Sequence, residues 1–219
     1  MKIRTTEGLY DYISADLGWR KKELSVFKGQ VERAEFGIRP ALLRASIALL
    51  YAHWEGFVKN CAHAYLCYLA SLRLSYVQLR PELAALAMRA RLEEFETTNR
   101  SFIHATLIRD IREDASSRAK IPTSRDAVRT FSNLNYERLC DILCSVGCDF
   151  SRYASYEDLI DEQLLAARNR IAHGEEDYIR LTDWNDVRVE IIKMMDDISN
   201  QILNSATQKS YLAEWDPKS

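Results

Sequence analysis

The sequence contains few residues that break helices. Its 219 residues include only 7 glycines and 4 prolines, which is low for a β-rich or loop-rich protein. No segment shows the sustained polar–apolar alternation that strands show between turn signals. The composition therefore favours an all-α chain, and the length suits a single domain with one sizeable core.

Long hydrophobic runs are also missing. The longest, residues 45–54, is interrupted by Ser46 and His53 and is too short to span a bilayer. Residues 1–13 mix charged and single apolar side chains, unlike a secretory leader. The five cysteines are an odd number, so we expect free thiols in a reducing, cytoplasmic setting without membrane contact.

Charge of one sign does not dominate either. The net charge is −2, which excludes a global basic field, so any binding of nucleic acid depends on a local basic patch. The cations comprise 21 Arg and 9 Lys. Arg forms planar, bidentate contacts with phosphate, although a high-GC genome explains this bias equally well.

Hydrophobic periodicity instead predicts long helices with short connections, as in a bundle of antiparallel helices. The predicted helices span residues 6–36, 40–74, 136–146, 156–173 and 182–205. Pro40 suits the first turn of the second helix, and Gly147 and Gly174 suit the ends of the next two. Thr182 or Asp183 is the expected N-cap of the last helix.

The predicted first and second helices differ in regularity. Gly18 is expected to disturb the first. The second carries a continuous apolar stripe, which consists of Leu43, Ile47, Leu50, Trp54, Val58, Cys61 and Tyr65.

The domain organisation is predicted to be simple. We expect one domain over 1–219, with a helical insertion at 75–130 and a C-terminal tail at 206–219. Pro81 is expected to start a short helical stretch within the insertion.

One short segment carries the candidate chemistry: residues 168–175, with the sequence RNRIAHGE. Asn169 and His173 are four apart and share a helix face, so the Asn amide is placed to orient the imidazole. Arg168 and His173 are five apart, about 140° around a regular helix. One chain holds that pair awkwardly around a single phosphate, whereas two chains across a two-fold axis bring both pairs into one cleft.

The same segment also has a plain interpretation. The negative end of the helix dipole favours cations, and Gly is an ordinary residue just after a helix. An Arg five positions before a His is expected about 0.4 times by chance in this composition. The spacing alone is therefore a weak signal.

Three segments together are more specific. The Arg-Asn-x-x-x-His-Gly arrangement at 168–174 resembles the motif of the HEPN superfamily. Residues 44–59 resemble the long second helix of the MAE-type HEPN proteins, and residues 132–147 resemble the helix ahead of the motif in that branch. With residues 156–200, this resemblance covers well over half of the chain.

The resemblance implies a HEPN-like helical bundle that forms a homodimer with a composite active site. It implies a metal-independent endoribonuclease without a cofactor, acting as a toxin or antiphage defence effector, with an antitoxin or defence-system protein as a further partner. A ribose 2′-hydroxyl would attack the adjacent phosphorus and leave a 2′,3′-cyclic phosphate. His173 would move protons, Arg168 would stabilise the added charge, and Asn169 would orient the imidazole.

Other polar residues are candidate supports for this site. Arg44, Tyr51, Glu55 and Lys59 fall on one flank of the second predicted helix, where Glu55 could hold Arg168. Glu55 and Lys59 fit an ordinary solvated i,i+4 pair equally well. Arg170, within the motif, is a further supporting candidate.

The remaining candidates favour structural roles. Cys140, Cys144 and Cys148 repeat every four residues, but a metal site requires closer pairs and a fourth ligand, so we predict a buried stripe. Cys61 and Cys67 are expected in or near the core, and His53 is expected to be structural or at an interface.

Two further functions remain open. The chain could be a non-catalytic HEPN module that binds RNA or a nucleotide or serves in assembly. It could also be a helical scaffold in which 168–175 is only a helix end.

Overall fold

The computed structural model of the chain describes residues 2–113 and 115–213 and is all-α. Within that part of the chain, the α-helices are α1 (Thr6–Arg33), α2 (Arg39–Leu72), α3 (Pro81–Thr97), α4 (Ser101–Glu113), α5 (Tyr136–Ser145), α6 (Ala167–Ala172) and α7 (Leu181–Gln208). Short 3-10 helices span Tyr76–Gln78, Arg125–Ala127 and Ser151–Tyr156, and a π-helix spans Leu159–Ala166. The predicted fold class, an all-α helical bundle, is confirmed.

The first helix is regular along its whole length. The Thr5 side chain caps it by accepting the Gly8 N–H at 3.0 Å. The expected disturbance near Gly18 is wrong, because the helix continues through it. A Cβ at that position would meet no other atom within 4 Å, so the glycine serves no close packing.

The second helix forms the centre of the bundle. All seven residues of its predicted stripe are buried, which confirms the stripe and the helix that it implied. Pro40 lies in its first turn, where its missing N–H costs nothing. α1 and α7 pack against α2 and against each other, so these three helices enclose most of the apolar core.

The region 75–130 contains α3, α4 and two short 3-10 helices joined by irregular segments, and it is built into that core. α3 packs against α5, and Leu79, Leu83 and Val128 belong to the main hydrophobic cluster. The Ala119 N–H donates to the Leu74 carbonyl at 2.9 Å, which closes the segment onto the end of α2. The region is therefore packed into the same core as the bundle.

The C-terminal half differs from its predicted boundaries. The single helix expected at 156–173 is a 3-10 helix, a π-helix and α6 in succession. α7 begins at Leu181 with Arg180 as N-cap, so the expected N-cap at 182 or 183 is wrong. The physical reason is that Leu181 packs on a small hydrophobic cluster near the motif.

The expected tail at 206–219 starts too early. Residues 206–208 complete α7. Tyr211 is buried, and its carbonyl accepts the Arg80 N–H at 3.0 Å. The last part of that tail, 214–219, lies outside the described residues.

A second, smaller apolar cluster positions the motif. Its buried members are Val31, Leu43, Ile47, Ala167 and Trp184, from α1, α2, α6 and α7. Burial of each of the larger side chains contributes about 1.5–3 kcal/mol. This cluster therefore fixes α6 against the N-terminal part of α2. It brings the motif together with the helix that carries the predicted apolar stripe.

Candidate active site

The motif helix ends in a well-defined cap. Gly174 has a φ of +79°, the left-handed conformation that favours glycine. Its N–H donates to the Ile171 carbonyl at 3.1 Å, and the Glu175 N–H donates to the Arg170 carbonyl at 2.9 Å. This pair of bonds is the Schellman arrangement, which places His173 at the C-cap, directly after α6.

Arg168 is held in place from three sides. Its guanidinium lies over the Tyr51 ring, 4.4 Å from the ring centroid. Nη2 donates to the Ser132 carbonyl at 3.2 Å, and Nη1 donates to Asn169 Oδ1 at 2.6 Å. A guanidinium carries five N–H donors, so three remain after these bonds. The group is both pre-oriented and able to contact a phosphate.

Tyr51 completes this arrangement from α2. Its hydroxyl accepts the Leu134 N–H at 2.7 Å, and only 2% of the residue is exposed. Burial and the charge of Glu55 raise the pKa of Tyr51 to about 12, so the phenol stays neutral at any physiological pH. The neutral ring presents its negative face to Arg168 without creating an ion pair.

Asn169 and His173 are linked through the backbone. The His173 N–H donates to the Asn169 carbonyl at 3.0 Å, while the Asn169 side-chain oxygen accepts from Arg168. The His173 side chain is exposed, and its imidazole has no hydrogen-bond partner within residues 2–113 and 115–213. The expected side-chain contact between the two residues is not formed, and the amide oxygen contacts Arg168 instead.

Arg44 and Arg170 both lie near the end of α6. Arg44 Nη2 donates to the Glu175 carbonyl at 2.8 Å, and its Nε is buried without a partner in the described part of the chain. Arg170 pairs with Asp177, Nη2 to Oδ2 at 2.9 Å. Arg44 thus holds the backbone just after the motif, and Arg170 secures the loop that follows it.

Glu55 and Lys59 lie farther from the motif. Among the described residues, Glu55 forms no ion pair within 4 Å with Arg168 or with Lys59, so neither expected contact is present. Lys59 is eight residues beyond Tyr51, about 12 Å along a helix. Of the predicted flank, the structure brings Arg44 and Tyr51 to the motif, places Glu55 near the Tyr51 phenol, and leaves Lys59 apart.

Sequence analysis overlooked the loop ahead of α5. Ser132 contributes a carbonyl to Arg168, and Leu134 contributes an N–H to Tyr51. Main-chain groups leave no residue-type signal, so these contacts depend on tertiary packing alone.

Most of the cysteines lie in or near the core. Cys61, Cys67 and Cys148 are buried, and Cys140 is intermediate. Cys144 is exposed, so the predicted stripe is wrong there. α5 buries Leu139, Ile142 and Leu143 instead, and Cys144 lies beside that face.

His53 is buried against α1, with Nε2 2.8 Å from Glu23 Oε2. Its predicted structural role agrees with this position. Within the described ranges, no group of three or more His, Cys, Asp or Glu side chains is placed to bind a metal. No helix there is both apolar enough and long enough to cross a bilayer.

Comparison with known sequences identifies the family of the chain. The model of the MAE-like HEPN family matches residues 9–211, which is most of the chain and includes the motif. No curated protein and no solved structure gives a significant match. HEPN domains commonly dimerise, bind RNA and in many cases cleave it. The extent of the match, together with the all-α bundle, shows that the chain belongs to the MAE-like HEPN family.

Proposed function

We propose that the protein is a metal-independent endoribonuclease whose active site contains Arg168, Asn169 and His173. The observation that carries the proposal is the pre-oriented guanidinium of Arg168, five residues before an exposed histidine in a HEPN-family chain. Its remaining N–H donors can contact a phosphate, and the imidazole is accessible to a bound substrate.

The reaction uses the RNA's own nucleophile. The ribose 2′-hydroxyl loses its proton and attacks the adjacent phosphorus, and the bond to the 5′-oxygen breaks. The products are a 2′,3′-cyclic phosphate and a 5′-hydroxyl, to which a proton is returned. His173 moves protons in these steps, and Arg168 stabilises the charge that builds on the non-bridging oxygens.

The active site is proposed to contain residues from two chains. Arg168 is directed toward Tyr51, while His173 is exposed at the C-cap of α6. A rotation of about 140° around the helix separates the two positions. A second copy across a two-fold axis supplies the missing partner for each.

The decisive experiment is cleavage of end-labelled tRNA and a long single-stranded RNA in the presence of EDTA. Wild type should cleave and leave cyclic-phosphate ends, and Arg168→Ala and His173→Ala should not. Arg112→Ala, an exposed arginine on α4, and His104→Ala are matched controls that should retain activity. Full activity in either motif variant would remove that residue from the mechanism.

Mixing the two inactive variants tests the composite site. A heterodimer of Arg168→Ala and His173→Ala chains contains one intact Arg and one intact His on opposite subunits. Partial recovery of cleavage is expected if one cleft takes residues from both chains. No recovery from a verified heterodimer, or a strictly monomeric wild type, would contradict the two-chain site.

A role as a toxin or defence effector is proposed from the family resemblance. Expression of the wild type should arrest growth, whereas His173→Ala expressed at the same level should not. Rescue by the product of a neighbouring gene would identify an antitoxin-like partner.

Binding of RNA without cleavage is the second candidate function. The observation in its favour is that Asn169 bonds Arg168, so its amide does not orient the imidazole. Salt-sensitive RNA binding by both wild type and His173→Ala, with no cleavage by either, would support this alternative.

A further inference from the structure

The loop ahead of α5 has a strained backbone beside Arg168. Phe131 and Ser132 have φ values of 52° and 59°, a left-handed conformation that residues other than glycine rarely adopt. Two such residues in succession persist only where their surroundings hold them, and such strain clusters at functional sites. Here the Ser132 carbonyl accepts from Arg168, and the Leu134 N–H donates to Tyr51.

This backbone directs an aromatic side chain outward. Phe131 is 63% exposed, although a phenylalanine is ordinarily a core residue. The Arg138 guanidinium lies over its ring, 4.7 Å from the centroid. A ring that is held by a cation and open to solvent can stack on a nucleobase.

A cavity of about 640 Å³ opens beside the ring. It lies between α3, α5 and the loop, and its lining includes Leu86, Arg129, Phe131, Arg138 and Ile142. Its volume is within the range of small-ligand sites, about 300–1,000 Å³. Phe131 on the rim of the cavity directly precedes Ser132, whose carbonyl contacts Arg168. The cavity therefore lies close to the motif.

The lining carries three arginines and four carboxylates, and one of the arginines, Arg89, donates to the Ala127 carbonyl at 2.9 Å. Arg129 forms a 2.6 Å ion pair with Glu93, whereas Arg138 lies 3.6 Å from the exposed Asp141. A phosphate can replace that weak contact at little cost, because an exposed pair at such a distance contributes little.

We infer that this cavity binds a nucleotide of the RNA next to the cleaved bond, with its base stacked on Phe131 and its phosphate contacting Arg138. The inference rests on RNA being the ligand of the proposed active site. It makes the strained loop a substrate-positioning element, since the same loop also holds Arg168.

The test uses a short single-stranded RNA that carries 2-aminopurine, whose fluorescence is quenched on stacking. All variants are made in the full-length His173→Ala protein, so that binding is measured without cleavage. Phe131→Ala should weaken binding about 5- to 150-fold and reduce quenching. Phe131→Trp should retain both, and Phe102→Ala, which removes an exposed phenylalanine on α4, should change neither.

Two further variants separate stacking from folding and from charge. Phe131→Leu keeps apolar bulk without an aromatic ring and should lose quenching as Phe131→Ala does. Arg138→Ala should weaken binding and lower the slope of log affinity against log salt by about 1. Unchanged affinity and quenching in Phe131→Ala and Phe131→Leu would overturn the inference.

The outcome also separates this inference from the proposed function. If RNA binds with quenching that depends on Phe131 but wild type does not cleave, the nuclease proposal fails and the nucleotide site stands. If wild type cleaves but quenching is independent of Phe131, the site fails and the nuclease proposal stands. If no variant binds RNA, both fail.

Discussion

Tyr51→Phe removes a single oxygen atom from beneath the candidate site. The phenyl ring remains under Arg168, so the cation–π contact is preserved. The lost hydroxyl is the acceptor of the Leu134 N–H, and that N–H is left buried without a partner. The change therefore loosens the loop that contacts Arg168 while leaving the guanidinium's stacking surface in place.

The expected cost follows from that one donor. An unsatisfied buried N–H costs about 1–3 kcal/mol. For a chain of this length, each kcal/mol lowers the melting temperature by about 2–4 °C. We expect a fall of about 2–12 °C, together with loss of hydrogen-exchange protection at the Leu134 amide and weaker RNA cleavage.

Tyr65→Phe is the matched control. Its hydroxyl lies 2.7 Å from Ser205 Oγ, buried in the core. After the substitution, the serine can still bond the carbonyl one turn earlier in α7. The cost should be about 1 kcal/mol, with no change at the Leu134 amide or in cleavage relative to the folded fraction.

Thermal melts, amide exchange and cleavage assays on both variants provide the measurement. Unchanged stability and unchanged Leu134 protection in Tyr51→Phe would refute the role assigned to the hydroxyl. Equal cleavage defects in both variants would show that general destabilisation, and not the loop, is responsible.

Three further predictions concern stability. Ser132→Gly should raise the free energy of unfolding by about 0.5–1 kcal/mol in urea titrations, because glycine accepts a φ of 59° without strain. Gly56→Ala should lower it by about 1–2 kcal/mol, because the new Cβ would lie 2.9 Å from the buried Arg20 guanidinium, and overpacking exceeds the gain in helix propensity. Stability should also fall as the pH rises from 9 to 12. Burial raises the pKa of Cys148 and of Tyr51 to about 12, so the unfolded chain releases those protons first, above pH 9 for the thiol and above pH 10 for the phenol, at up to about 1.4 kcal/mol per pH unit for each group.

Each of the two substitutions has a simple control. Ser132→Ala keeps the strained conformation and should gain nothing. Gly18→Ala, where a Cβ meets no atom within 4 Å, should gain up to about 1 kcal/mol. Equal effects of the two glycine substitutions would show that a clash with Arg20 is not the cause. Constant stability from pH 9 to 12 would contradict the alkaline prediction.

The parts of the fold that could be predicted are those in which apolar residues recur at the helical period and are buried. The stripe on α2 is the clearest case, because seven apolar residues at helical spacing are all buried. The closures at Gly147 and Gly174 were also predictable, since both residues have positive φ values. A π-helix at 159–166 could not be predicted from a rule that assumes 3.6 residues per turn.

The site was predictable only in part. The motif residues were found from their spacing and from the resemblance. The support of Arg168 by Tyr51 and Ser132 was not, because it joins segments distant in sequence and includes a main-chain carbonyl. The left-handed pair at Phe131 and Ser132 left no signal either, because neither residue type favours that conformation.

The π-helix lets the chain ahead of the motif tolerate the loss of one residue. Its wider turns hold one more residue than an α-helix would over the same path, and α6 continues directly from it. Loss of a single residue such as Gln163, which is exposed, would let the segment rewind as an α-helix over the same path, so the residues after it would keep their orientation. Arg168 would then remain over Tyr51. A single-residue deletion at 159–166 should therefore be better tolerated than one within α6, which would turn the residues after it by about 100°.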